Sequence, residues 1–377
     1  MRRKIKWAVL VLTVVAFLFL GNKLPGEPLS SRAMVVGFGI DLVADTTLRV
    51  SAQILNAASA TETSGQTTQV VTADASTLSG AMNKISEKAG SAVALTHCNV
   101  VFLCENLAKS EHYYAVLNYL ITNDYLSENA YIFAVDGKAE DYMTSAAAFG
   151  GNISIYIQRA VGIHGEYADL PIKTLRDFLV SYHALGETNW LPVLKKEPIS
   201  PQQSESGQTP SDQYVFTANA LYVLKKNTFV GEYGKSGARA LNFAKNEVKK
   251  GVYEAGGDHG EKILCLITGK KEKYAYDLDK KTVSLSIELT SILKEILDYS
   301  GSDAYVDRTE MTATEISRAE QKIAEEITAF FTDLKQKNAD IFGLLDGFYS
   351  KYGKKTADLT IGDISLKVDV KLKVSTV

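Results

Sequence analysis

The sequence has few cysteines, and this shortage argues against a fold held together by disulfides. Three occur among 377 residues, Cys98, Cys104 and Cys265, and an odd number leaves at least one thiol unpaired. Cys98 and Cys104 fall in what reads as one strand, which would place them ~20 Å apart. The Cα atoms of a disulfide lie within about 7 Å of each other. We therefore expect three buried cysteines in strands that act as small hydrophobic side chains.

A strong net charge is also missing. The formal net charge is −3 and the pI is about 6.0. Binding to a nucleic acid requires clustered Lys and Arg that neutralise phosphates, so no nucleic-acid partner is expected. Hydrophobic residues make up 46% of the chain and charged residues 23%, which is the mixture of an ordinary folded protein.

Long hydrophobic runs are absent apart from one at the N-terminus. Residues 7–20 contain no charge and follow a basic cluster at residues 2–6. The run is shorter than the ~20 residues of a comfortable spanning helix, so its length also suits a signal peptide. Cleavage requires small residues at the last and third-last positions, but Gly21 would be paired with Phe19. We expect an uncleaved membrane anchor over residues 1–21, with removal during secretion as the alternative. The basic cluster would stay cytoplasmic and the rest of the chain would lie outside.

The remainder predicts an α+β fold, with three mixed α+β domains and largely antiparallel sheets. Residues 22–31 contain Pro25 and Pro28 and predict an extended tether. The domains are predicted at residues 32–150, 151–258 and 259–377. Three prolines among polar residues predict an exposed, flexible loop over residues 198–212.

Hydrophobic periodicity predicts the elements within these domains. The first domain should contain a hairpin over 33–55, helices over 77–88, 111–122 and 139–147, and strands over 99–103 and 131–135. The second should contain helices over 172–185 and 238–245 and strands over 214–224 and 228–232. The third should contain strands over 262–268, 273–276 and 282–290, a long helix opened by a capping box at Thr312 and Glu315, and a helix over 340–350. Alternation in the last residues predicts a terminal strand in an antiparallel sheet with one solvated side.

Two glycine patterns resemble nucleotide-binding loops and fail on spacing. Gly37-Phe38-Gly39 resembles a dinucleotide loop, but Leu42 occupies the position of the third glycine. Gly234-Lys235-Ser236 resembles a phosphate loop, but Phe229 stands where its first glycine would lie. A strand of a hairpin and a turn before a short helix are the better interpretations.

Metal-binding patterns also fail on spacing. His97, Cys98 and Cys104 lack the C-x2-C or H-x3-H spacing of a zinc site. Asp277 and Asp279 resemble a calcium pair, but lysines follow where further oxygen ligands would be needed; a polar hairpin turn explains them better. The histidines are dispersed and none adjoins a nucleophile motif: they are His97, His112, His164, His183 and His259. The sequence therefore predicts no catalytic, cofactor-binding or metal-binding residue.

Three segments, in order along the chain, carry a resemblance to a known family. They are Ala33-Met-Val-Val-Gly-Phe-Gly-Ile-Asp41, Leu95-Thr-His-Cys-Asn-Val-Val-Phe-Leu-Cys-Glu-Asn-Leu-Ala108 and Gln336-Lys-Asn-Ala-Asp-Ile-Phe-Gly343. The first resembles the Gly-x-Gly-Ile-Asp opening of the GerAC family, the C subunits of bacterial spore-germination receptors. The second is similar to that family's histidine-led strand and following helix start, and the third to its Asp-Ile-Phe-Gly helix end.

The resemblance implies a three-domain α+β protein at the outer face of the inner spore membrane. It implies assembly with two integral-membrane receptor subunits, of A and B type, and it brings no catalytic residue and no cofactor. The sequence departs from the family at one place. The lipobox cysteine that usually follows the apolar run is replaced by Gly21-Asn22-Lys23, so lipid cannot be attached there and a retained helix would serve as the anchor.

Three functions follow from this reading. The first is a non-enzymatic accessory subunit of a spore germinant receptor that works by protein–protein contact. The second is an extracytoplasmic ligand-binding module, because domain junctions form concave pockets. The third is a cell-envelope hydrolase, because carboxylates from distant parts of a chain can assemble a site that no local motif reveals.

Overall fold

A computed structural model describes residues 7, 10, 12, 13, 32–55, 68–122, 126–147, 151–164, 168–199, 213–245, 248–298 and 308–375. The predicted anchor at 1–21 and tether at 22–31 lie outside this part apart from residues 7, 10, 12 and 13, and the predicted loop at 198–212 lies outside it from residue 200 onward. Among the described residues, none of the helices combines the length and the hydrophobicity that crossing a bilayer demands.

The described strands form two sheets. The larger has ten strands in the order β10-β9-β8-β6-β5-β1-β2-β3, with β4 beside β1 and β7 beside β9. Its strands are β1 (Arg32–Ala44), β2 (Thr47–Leu55), β3 (Thr68–Ala75), β4 (Ala92–Ala94), β5 (Val100–Leu103), β6 (Tyr131–Val135), β7 (Ala146–Ala147), β8 (Thr188–Pro198), β9 (Gln213–Lys225) and β10 (Thr228–Tyr233). The smaller has the order β11-β12-β13-β14, with β11 (Gly251–Gly256), β12 (Lys262–Asp277), β13 (Thr282–Leu297) and β14 (Ser365–Ser375).

Six helices accompany the first sheet and three the second. The six are α1 (Leu78–Ala89), α2 (Glu105–Lys109), α3 (Tyr113–Ile121), α4 (Ala139–Met143), α5 (Ile153–His164) and α6 (Leu175–Tyr182). The three are α7 (Lys235–Ala244), α8 (Ala313–Gln336) and α9 (Leu344–Tyr352). These counts refer to the described part of the chain.

The α+β prediction is confirmed in its mixture of helices and sheets, but the prediction of largely antiparallel sheets is wrong for the centre of the first sheet. β1 pairs parallel with β5, β5 with β6, and β6 with β8. Helices lie between these strands along the chain, and such crossover connections return the chain in the same direction. The predicted hairpin at the start of the sheet is confirmed, because β1 and β2 pair antiparallel.

The terminal strand was predicted in an antiparallel arrangement, and this prediction is wrong. β14 pairs parallel with β13 along eleven residue pairs, from Thr282 with Ser365 to Ile292 with Ser375. Two helices, α8 and α9, lie between the two strands in sequence, so the chain crosses over before it re-enters the sheet. Periodicity reports which face of a strand is buried and not its direction. The predicted alternation is confirmed, since outward residues of β14 are exposed.

Several local predictions differ from the structure in detail. The strands predicted at 262–268 and 273–276 are one strand, β12, with a register shift between Ile267 and Gly269. The helix predicted at 139–147 ends at Met143 and is followed by the short strand β7. The predicted boundary between residues 150 and 151 has strands of the same ten-stranded sheet on both sides.

All three cysteines are free and buried. Cys265 lies in β12, but Cys98 and Cys104 flank β5 rather than sharing its strand as predicted. The buried side chains form two clusters. One lies on the first sheet, and the other joins α7, α8 and α9 to the second sheet.

Candidate functional site

The first family-like segment is strand β1, and its two glycines allow helices to approach the sheet. A Cβ on Gly37 would lie 2.8 Å from Ser154 Cβ in α5, and one on Gly39 would lie 2.9 Å from Ala139 Cβ in α4. Both distances are shorter than real Cβ contacts. The Gly-Phe-Gly pattern therefore serves helix packing on a buried strand, which agrees with the hairpin interpretation.

Asp41 follows these glycines and connects β1 to α4. Its carboxylate accepts hydrogen bonds from the backbone N–H of Ala139 at 2.7 Å and of Glu140 at 2.8 Å. Burial raises the pKa of Asp41, while the two backbone hydrogen bonds act in the opposite direction. The carboxylate thus satisfies N–H groups that would otherwise be orphaned at the start of a helix.

Cys104 has a comparable role at the end of β5. Its Sγ accepts hydrogen bonds from the N–H of Leu42 and of Leu107, each at 3.3 Å, and so caps α2. Burial raises the pKa of this thiol, which keeps it protonated and a poor nucleophile. Asp41 and Cys104 both line a cleft.

The cleft encloses about 540 Å³ and lies beyond the carboxyl ends of β1, β5 and β6. This is the edge of a parallel sheet at which α/β proteins bind their ligands. It is lined by Asp41, Leu42, Val43, Arg49, Cys104, Glu105, Asn106, Gly137, Lys138 and Glu140.

Most charges on the cleft wall are already paired. Arg49 binds Asp74 through two hydrogen bonds of 2.8 and 2.9 Å and reaches Glu140 at 2.9 Å. Lys109 contacts Glu105 at 2.6 Å. The hydrogen bond from Arg49 lowers the pKa of Asp74, and the one from Lys109 lowers the pKa of Glu105. This arrangement can bind polar groups, and pairing with Arg49 and Lys109 favours the ionised form of Asp74 and Glu105.

The third family-like segment lies where the two sheets meet, in a region we call the joint: residues 184–190 and 338–346. The buried Asp340 carboxylate accepts from the N–H of Leu344 at 2.9 Å and of Leu345 at 2.8 Å, which caps α9. The Asp340 N–H donates to Thr188 Oγ1 at 2.8 Å. A Cβ on Gly186 would lie 2.6 Å from Asp340 Cβ. The Asp-Ile-Phe-Gly segment therefore attaches the C-terminal helices to strand β8.

A lysine near the joint was not anticipated from the sequence. Lys173 is 1% exposed, and its Nζ lies 4.5 Å from the centroid of the Trp190 ring and 3.2 Å from Ser181 Oγ. Burial lowers its pKa well below the usual lysine value. A single lysine beside apolar residues has no sequence signature, so only its packing reveals that it is buried.

The candidate site residues weighed in the sequence do not come together. His97 is exposed, and the buried Cys98 Sγ donates to Val100 O at 3.5 Å. Within the described residues, no group of three His, Cys, Asp or Glu side chains could hold a metal ion. Asp277 is the last residue of β12, and its carboxylate accepts a hydrogen bond from Lys280 N at 3.1 Å in the turn to β13. Gly234 precedes α7 as its N-cap. Three histidines lie on separate exposed segments: His112, His183 and His259.

Comparison with known proteins gives consistent matches along the chain. Residues 26–196 match the family model described as spore germination protein N-terminal domain. Residues 219–377 match the model described as spore germination B3/GerAC like, C-terminal. The crystal structure of the GerBC protein has a similar fold, with a TM-score of 0.50 at 17% sequence identity, covering 90% of this chain and 96% of that one. No curated protein matches the chain.

Proposed function

The chain belongs to the GerAC family of spore germination proteins, and from this premise we propose that it is a non-enzymatic accessory subunit of a spore germinant receptor. It acts by protein–protein contact at the outer face of the inner spore membrane. Its partners are the integral-membrane A-type and B-type subunits, and the apolar run at residues 7–20 holds it at the bilayer.

One observation carries this proposal beyond family membership. Three polar side chains of the family-like segments hold elements of the fold together. The Asp41 carboxylate and the Cys104 thiol each accept two backbone hydrogen bonds, and the Asp340 carboxylate does the same at the joint. These side chains are engaged in holding the fold together. The proposed contacts with other proteins are therefore made by the surface of the molecule.

The test is genetic and biochemical. Deletion of the gene in a spore-forming host should abolish the response to one nutrient, and the wild-type gene should restore it. The tagged protein should also co-purify from detergent-solubilised spore membranes with both receptor subunits. Normal germination of the deletion strain with every nutrient would contradict the proposal.

A second candidate function, ligand binding, is favoured by the position of the cleft. A concave site of about 540 Å³ with polar walls at the carboxyl edge of parallel strands is suited to a small polar molecule. A ligand that binds the folded state raises the melting temperature by mass action. A nutrient that stabilises the wild type but not a Lys138→Glu variant would support this role, with Lys354→Glu as the control on a distant surface.

A further inference from the structure

The second sheet has one face covered by helices and one open face. Along β13, inward residues such as Leu285 and Leu289 are fully buried, while the alternate residues Ser284 and Ser286 are exposed. The long helix α8 packs against the buried side and contacts β14. No described helix covers the outward side chains of β11 to β14.

Lysines are concentrated on this open face. Cross-strand register places Lys271, Glu288 and Lys371 in one row, and Lys273, Ser286 and Asp369 in the next. We call this surface the lysine face. It is defined by five exposed lysines, Lys271, Lys273, Lys367, Lys371 and Lys373. Two carboxylates lie among them, those of Glu288 and Asp369, so the face is positive although the whole chain has a net charge of −3.

The charges of these lysines act on the carboxylate of Glu288, which lies among them. Lys373 Nζ contacts Glu288 Oε2 at 2.8 Å. The hydrogen bond from Lys373 lowers the pKa of Glu288, and the charges of Lys271 and Lys371 lower it further. One carboxylate therefore faces three cations, which leaves excess positive charge on the surface.

An apolar row borders the lysine face. Val252, Leu266 and Ile292 lie side by side in register on β11, β12 and β13. Val252 is 44% exposed, and the other two are partly exposed. Beyond this row, Glu254 and Glu295 flank Leu264 and end the positive surface. Lysines beside exposed aliphatic side chains are the composition of surfaces that lie in a membrane interface.

The length of chain before β1 supports a bilayer as the occupant. If residues 7–20 are inserted, the folded part is connected through residues 22–31 alone, and about ten residues span at most ~35 Å. The folded part of the chain is then held close to the bilayer surface. Each lysine close to a surface of anionic headgroups contributes about a fivefold preference for it over neutral lipid.

We infer that the lysine face rests on the anionic phospholipid headgroups of the adjacent membrane, with the apolar row at the headgroup boundary. The inference rests on the membrane location in the proposed function. It assigns the four-stranded sheet as the surface that orients the protein on the membrane.

Lysine footprinting of the full-length chain tests this orientation. The chain is reconstituted into vesicles of phosphatidylglycerol or of phosphatidylcholine and acetylated briefly with an amine-reactive ester. In phosphatidylglycerol, the five lysines of the lysine face should react about threefold or more slowly than in phosphatidylcholine. The protection should fall in 1 M salt, which shortens the Debye length to about 3 Å. Lys354 should react equally in both lipids.

A variant with a matched control sharpens the result. Lys271→Gln, Lys371→Gln and Lys373→Gln are combined, and the remaining Lys273 and Lys367 should lose their protection. The control combines Lys322→Gln, Lys354→Gln and Lys355→Gln, which removes the same charge from exposed lysines outside the open sheet face. The control should keep the protection. Thermal unfolding verifies that both variants are folded. The comparison of wild-type labelling in the two lipids does not depend on either variant.

Other occupants give different results, each of which overturns the inference. Equal labelling in the two lipids excludes the headgroup contact. Protection that appears only in native spore membranes indicates an acidic protein partner, and protection that rises with protein concentration in either lipid indicates a second copy. Carbonate-resistant flotation with the vesicles is scored separately. A chain that fails to float contradicts the membrane location itself, whereas flotation without protection contradicts the lysine face alone.

Discussion

The two sheets of this protein bury their strands in different ways. In the first sheet, all four residues of β5 are buried, including the neighbours Val101 and Phe102, whose side chains point to opposite faces. In the second, β13 alternates between the fully buried Leu285 and the exposed Ser284. Parallel strands with both faces covered have continuous apolar sequences. Strands with one solvated face alternate between apolar and polar residues. The covered sheet forms the scaffold for the cleft, and the open sheet offers a surface.

The largest expected effect tests this contrast directly. Val101→Gln and Phe102→Gln should each reduce the free energy of unfolding by about 4 kcal/mol. Both faces of β5 are buried, so the glutamine amide would lie in the core without hydrogen-bond partners. In β13, substitutions at two neighbouring residues should differ in their effect on stability. Leu285→Gln should cost a similar amount, but Ser284→Gln should change stability by less than about 0.5 kcal/mol. Urea denaturation measures all four, and an unaffected Phe102→Gln would show that β5 has a solvated face.

A second change asks whether the two regions unfold together. Asp340→Ala should cost about 3 kcal/mol, because the buried N–H of Leu344 and the partly buried N–H of Leu345, at the start of α9, lose their acceptor. With the joint weakened, thermal unfolding should broaden or separate into two transitions. Asp358→Ala, at an exposed position beyond the end of α9, is the control and should leave one transition. A single sharp transition in both variants would mean that the joint does not couple the sheets.

Glycine substitutions compare close packing in the two sheets. A Cβ at Gly37 would lie 2.8 Å from the side chain of Val100, whereas one at Gly269 in β12 would meet nothing within 4 Å. Gly37→Ala should therefore cost about 2 kcal/mol through overpacking, and Gly269→Ala should be within about 0.5 kcal/mol of the wild type. Chemical denaturation measures the free energy of unfolding of both variants. Equal effects at the two positions would contradict the difference in helix cover.

The smallest expected effect is pH-dependent and concerns the start of α8. Desolvation raises the pKa of Glu315, but hydrogen bonds from Arg308, Thr312 and Asp258 outweigh it, so the pKa lies below the usual 4.5. Its contribution is therefore fully present above pH 4.5 and is lost as the pH falls through the lower folded-state pKa. Glu315→Gln should cost about 1 kcal/mol at neutral pH, and the difference from the wild type should close in acid. A difference that persists in acid would assign the effect to packing.

Much of the secondary structure could be predicted because its signals are local. The capping box at Thr312 and Glu315 and the alternation of β14 depend on neighbouring residues alone. The direction of β14 could not be predicted in this way, because parallel and antiparallel edges bury the same residues. Helix α5 was missed because the stretch around it carries little pattern. The cleft was missed because Asp41, Cys104 and Glu140 are far apart in the chain and meet only in the folded sheet.

The sequence by itself determined the mixture of helices and strands, the order of most elements and the family to which the chain belongs, because periodicity, caps and short motifs are properties of adjacent residues. Tertiary structure alone decided the parallel centre of the first sheet, the direction of the last strand, and the use of Asp41, Cys104 and Asp340 as anchors for backbone N–H groups. It also decided that the lysines of β12 and β14 form one surface. These features depend on which distant segments pair, and that choice is made by the burial of whole faces.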